Sequence, residues 1–166
     1  MPLAEPIDYR LLLAVQSAIQ AADGSAPYHL TLSTSGRVVL GLRRPDDPPA
    51  QGTSCVAVSL GPTDTNDGPD LPGTSNSFTL YLQGWAPGTE DTADGRMLAI
   101  SRLRADIVRA LRAARSAGST SLLNDMHLFR VSVTTADARQ LGLSLPCGYL
   151  EGEITCEYPV EYGEAE

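Results

Sequence analysis

The chain has 166 residues, close to the size of one domain and enough to bury about two thirds of its unfolded surface in a single core. Hydrophobic residues make up 42% and charged residues 19%, as in an ordinary globular fold, while an aromatic share of 5% leaves Leu, Val, Ile and Ala to build the interior. The twelve basic residues are all arginine and twenty acids bring the net charge to −8, so the surface repels phosphate and disfavours ordinary nucleic-acid binding.

The first ten residues include Glu5 and Asp8 and lack the basic stretch and apolar run of a secretory signal, so secretion is not expected. No apolar run approaches the roughly 20 residues that cross a bilayer, and no membrane span is expected. Cys55, Cys147 and Cys156 form neither a CxxC pair nor an even set, which predicts reduced thiols acting as small buried hydrophobes.

In chain order, Ile7, Leu11, Val15, Ala18, Ile19 and Ala22 recur at three- and four-residue steps behind Pro6, predicting a helix over 6–22 that ends at Asp23-Gly24. Residues 28–33 and 37–42 alternate in the manner of strands about a turn at Ser35-Gly36, predicting a β-hairpin. Residues 43–52 hold Pro45, Pro48 and Pro49 and must be loop. A strand over 54–60 leads into residues 61–75, whose prolines, glycines and aspartates predict a long projecting loop.

Residues 77–85 set Phe78, Leu80 and Leu82 against Thr79, Tyr81 and Gln83, a strand that Pro87-Gly88 terminates. From a cap at Asp91 or Thr92, the residues Ala93, Met97, Ile100, Leu103, Ile107, Ala110, Leu111 and Ala114 trace one apolar stripe that stops before Gly118. Its other face carries Arg102, Arg109 and Arg112. A strand over 127–133, a short helical turn within 136–141, a last strand over 150–158 and an acidic tail over 159–166 complete the chain. The fold expected is a single α+β domain: a mixed or antiparallel sheet with the N-terminal helix and the long helix on one face.

Sites of chemistry are hard to find. Only two histidines occur, His29 and His127, each inside a strand-like alternation, and both read as structural. No HExxH, GxSxG, phosphate-binding glycine loop or dinucleotide fingerprint is present. Asp64, Asp67 and Asp70 are spaced somewhat like a calcium loop, but the glycine falls one place early and Ser75 stands where the twelfth-position glutamate belongs. Arg102 and Arg109 share a helix face that could meet nucleic acid, yet interspersed carboxylates and the helix dipole favour a solvated or ion-paired face. No catalytic, cofactor or metal residue is assigned, and function is expected to lie in the surfaces offered to partners.

The layout resembles that of the tail terminator proteins of long-tailed bacteriophages. The carriers are the opening helix around Ile7-Asp8-Tyr9-Arg10-Leu11-Leu12, the strand Phe78-Thr79-Leu80-Tyr81-Leu82-Gln83-Gly84-Trp85 leading through an acidic turn into the long helix, and the closing segment from Gly152-Glu153-Ile154-Thr155-Cys156 to Tyr158 and Tyr162. The resemblance implies a non-enzymatic virion protein, assembled in the host cytoplasm, whose ring of about six copies caps the tail tube and joins it to the head-tail connector. DNA would pass through its acidic lumen without specific binding. Residues 61–75 and 157–166 are expected as interface elements. The alternatives are another neck or tail subunit, a small-ligand or metal-binding domain using His29, His127 or residues 64–70, and an enzyme whose dispersed acids converge only in the fold.

Overall fold

The computed structural model describes residues 6–65, 74–116, 118–126 and 128–160. Helix α1 (Ile7–Gln20) buries Leu11, Leu12, Val15, Ala18 and Ile19, the three- and four-residue stripe seen in the sequence. Helix α2 (Ala93–Ala114) starts where the Thr92 side chain accepts a hydrogen bond from the Gly95 amide, satisfying one of the donors a helix N-terminus leaves open. Both helices lie on one side of a five-stranded mixed sheet.

The strands are β1 (Val38–Leu40), β2 (Cys55–Thr65), β3 (Thr74–Pro87), β4 (Leu128–Asp137) and β5 (Cys147–Val160), in the spatial order β1-β2-β3-β5-β4. Only β1 and β2 run parallel; the other neighbours are antiparallel. Two short 3-10 turns, Leu122–Asp125 and Ala138–Leu141, flank β4. The α+β class and the packing of both helices on the sheet are as the sequence predicts.

The pairing register sorts the side chains. Val56, Leu82, Leu80, Phe78, Leu150, Ile154 and Cys156 face the helices and meet Val15, Ile19, Ile100, Leu103 and Ile107 in the main core. Helix α2 comes very close to the sheet. A methyl group added at Gly148 would stand 2.5 Å from the Arg96 carbonyl oxygen, so only glycine permits this approach.

Three expectations need correction. Residues 28–33 form no strand and no hairpin with 37–42. The buried Asp106 carboxylate of α2 instead accepts the amides of His29 and Leu30, each at 2.8 Å, and the segment keeps a single bridge between Asp23 and Thr31. A side chain has taken the donors a strand partner would have used. Secondly, 61–75 is not all loop. β2 continues through Gly61-Pro62 to Thr65 because two residues there oppose the single Thr79, a bulge that accommodates a proline without an N–H, and β3 begins at Thr74. The aspartates Asp67 and Asp70 lie outside the described residues. Thirdly, Pro159 and Val160 belong to β5 rather than to a tail; residues 161–166 lie outside the described residues.

Candidate interaction surfaces

The two sides of the sheet differ in cover. On the side away from the helices, residues 43–52 fold over one end, where the Trp85 indole donates to the Pro45 carbonyl at 2.8 Å and lies 5.7 Å from the Tyr149 ring. Cys55, Ala57, Trp85, Ala138, Cys147 and Tyr149 form a small second core there. An apolar recess of about 210 Å³ between Trp85, Pro87, Leu145 and Cys147 opens beside it.

Beyond that cover the sheet lies open. Tyr81, Gln83, Ser132, Thr134, Glu151 and Glu153, with Leu42 at the rim, line a shallow cleft of about 470 Å³. The alternation of β5 explains it: Leu150, Ile154 and Cys156 go inward, so Glu151 and Glu153 must go outward, and both are exposed. A hydrogen-bonded line joins the covered end to the open one. The Arg43 amide donates to Gln83 Oε1 (2.8 Å), Gln83 Nε2 to the Tyr149 hydroxyl (3.1 Å), and that hydroxyl to Glu151 Oε1 (2.7 Å). Burial, and then the neighbouring Glu151 carboxylate, push the Tyr149 pKa up, so it remains a donor.

On the opposite side of the molecule, α2 turns a second surface to solvent. Ser101, Ala105 and Val108 form its small, weakly polar floor, and Arg104, Arg109 and Arg112 frame a groove of about 430 Å³. Leu98, one turn away, is 51% exposed. Arg109 bonds Asp106 (3.3 Å) and the Pro27 carbonyl, whereas Arg102, Arg104 and Arg112 are exposed and have no salt bridge among the described residues. The face expected to be solvated or ion-paired is, among the described residues, ion-paired at Arg109 and solvated at Arg102 and Arg112.

A third polar group is internal. Arg96 Nε and Nη2 grip the Asp137 carboxylate at 2.8 and 2.9 Å, and Arg96 Nη1 reaches Asp91 at 2.7 Å, with Arg139 bonding the other Asp91 oxygen. The hydrogen bonds from Arg96 hold the Asp137 carboxyl below the usual aspartate range. The pair ties the first turn of α2 to the end of β4. Arg115 does the same at the other end, donating to the Leu123 and Met126 carbonyls with its guanidinium 5.1 Å from the Phe129 ring centre.

Of the residues weighed from sequence, His29 is an exposed residue bonded through its backbone amide, and His127 lies outside the described residues. Among the described residues no group of three His, Cys, Asp or Glu side chains could hold a metal ion. All three cysteines are buried and free, and burial raises the thiol pKa to about 11 at Cys147 and about 12 at Cys156, which makes them poor nucleophiles. Among the described residues no helix is long and apolar enough to cross a membrane. Sequence reasoning passed over Asp106, the Arg96–Asp137 pair and the Gln83–Tyr149–Glu151 line. The outward glutamates of β5 were readable from its alternation; the two buried acid sites had no local signal. No protein-family model and no curated protein matches the chain.

Proposed function

We propose that the chain is a non-catalytic, ring-forming subunit of a bacteriophage neck, a tail terminator that caps the tail tube and receives the head-tail connector. The observation that carries this reading is the uneven cover of the sheet: one side is closed by α1 and α2, while the other leaves an acidic strip of β5 open beside the unpaired edge of the ten-residue β4 among the described elements. A ring built from one kind of subunit needs two different surfaces on each copy, because a head-to-tail contact that closes repeats one donor face and one acceptor face. Exposed strand edges and open sheet faces are such surfaces. The net charge of −8 agrees with a lumen that lets DNA slide. Of the layout on which the resemblance rests, the first helix, the long helix after a strand, and the two last strands about a short helical turn are present, while its hairpin over 28–42 is absent and part of its long loop belongs to β2 and β3.

The test is to polymerise the tail-tube protein of the same virus with and without the chain and to measure tube lengths by electron microscopy. Shortened tubes with a ring at one end are expected. Unchanged lengths with bare ends overturn the terminator role, and binding to the isolated connector in that case assigns the chain to another position in the neck.

A further inference from the structure

The charges of this chain are largely segregated between its two sides, Arg130 of β4 being the arginine whose register puts it on the side of Glu151 and Glu153, with no salt bridge to either among the described residues. Arg96, Arg102, Arg104, Arg109, Arg112 and Arg115 place half of the twelve arginines on α2 and its C-cap. Six of the eight glutamates lie between 151 and 166, a stretch without a single arginine. In the described part of that stretch, Glu151 and Glu153 are exposed on the side of the sheet away from α2. The layer between them consists of the sheet and the core beneath it, so Arg104 and Arg112 of one copy cannot reach Glu151 and Glu153 of the same copy. The two surfaces are complementary in sign and face away from each other.

They also match in form. The α2 face has a small-residue floor of Ser101, Ala105 and Val108 between arginines, the arrangement of an apolar centre with a polar rim, and arginine is favoured in interfaces because its guanidinium grips carboxylates with two parallel hydrogen bonds. Arg104 and Arg112 stand about 12 Å apart along the helix, and Glu151 and Glu153 about 7 Å apart along the strand. Two long arginine side chains therefore bracket two carboxylates. Leu42, 47% exposed at the rim of the sheet cleft, supplies an apolar contact for the helix floor.

We infer that the occupant of each surface is a second copy of this chain: the arginine-rimmed face of α2 docks on the Glu151/Glu153 face of the sheet of the next copy, head to tail. The contact uses different patches on its two sides, so it propagates to a closed ring or an open filament rather than stopping at a symmetric dimer. It deepens the ring reading above and rests on it only for closure; the contact itself is open to test without any tail component.

The experiment is a charge exchange on the full chain, read by light scattering across a concentration series. A helix variant carries Arg104→Glu with Arg112→Glu; a sheet variant carries Glu151→Arg with Glu153→Arg. Each alone brings like charges together and is expected to associate at least about tenfold more weakly than the unmodified chain; the helix variant, and a sheet variant with Glu153→Arg alone that leaves the Tyr149–Glu151 bond intact, are expected to keep the melting temperature. An equimolar mixture restores complementary pairs at every contact and is expected to recover the full assembly with alternating subunits. Variants that assemble like the unmodified chain, a mixture that fails to recover, or an unmodified chain that stays a single copy at every concentration would each overturn the contact. Rings that persist in both variants leave the ring reading standing with its interface elsewhere. Recovery by the mixture alongside unaffected tail tubes keeps the contact and removes the terminator role.

Discussion

The inward and outward faces of β5 are built from the same fourteen residues and have opposite fates. Leu150, Ile154 and Cys156 are fully buried against the helices, in contact with side chains that no solvent reaches. Glu151 and Glu153, one residue away in each case, are exposed and line the open cleft, Glu151 also accepting the Tyr149 hydroxyl. Stability is therefore expected to reside in one half of the strand and association in the other. Where a side chain has neither burial nor a structural bond to account for it, as with Glu153, Arg104 and Arg112, the reason for its place is sought outside the chain.

The sharpest way to break this division is Ile154→Ala. It removes a fully buried side chain from the centre of the main core and should cost about 2–5 kcal/mol in chemical unfolding, with any loss of assembly following from unfolding. Asp106→Ala tests the same side at its polar anchor. It strands the His29 and Leu30 amides and should cost about 2 kcal/mol, with faster amide exchange at those two residues; Asp106→Asn, which keeps one acceptor oxygen, should cost less. An equal stability loss for the Asn and Ala variants would refute the anchor.

Acid probes the Arg96–Asp137 pair. The folded Asp137 carboxyl titrates below its ordinary value of 3.8, so its contribution is fully present above that value and is lost as pH falls through the lower, folded one. The melting temperature of the unmodified chain should hold steady from neutrality to about pH 5 and decline below it, and Asp137→Asn should flatten part of that decline. The smallest expected effect on stability is that of Glu153→Gln, within about 0.5 kcal/mol, because among the described residues this exposed carboxylate has no salt bridge or side-chain hydrogen bond. A larger loss would show that the outward face also holds the fold together.

How much of this was legible in the sequence depended on how local each cause was. The α2 stripe from Met97 to Ala114 repeats at helical period over about five turns, with a Thr92 cap one turn before it, so the helix and its limits could be read directly. The alternation of β3 was equally plain, since Phe78, Leu80 and Leu82 have only one side of a sheet to go to. Residues 28–33 alternate as well, but alternation cannot say what takes the backbone hydrogen bonds, and here it is a carboxylate 76 and 77 residues away. Pro62 hid the continuation of β2 because a proline in a strand is tolerated only at the kind of bulge that sequence does not announce. Arg96 interrupts the apolar face of α2, and its meaning came only with Asp137 at the far end of β4. The surfaces were the least legible part. The pattern of β5 shows which residues share a side, and the packing of α1 and α2 decides which side stays open.

The account turns on a charge-driven contact between two faces of the same chain, and a salt titration of the assembly tests it most directly. Between about 0.1 M and about 1 M NaCl the screening length falls from about 10 Å to about 3 Å. Light scattering should then show the assembled mass falling toward that of a single chain while the melting temperature changes little. An assembly whose mass holds or grows as salt is added would contradict the account.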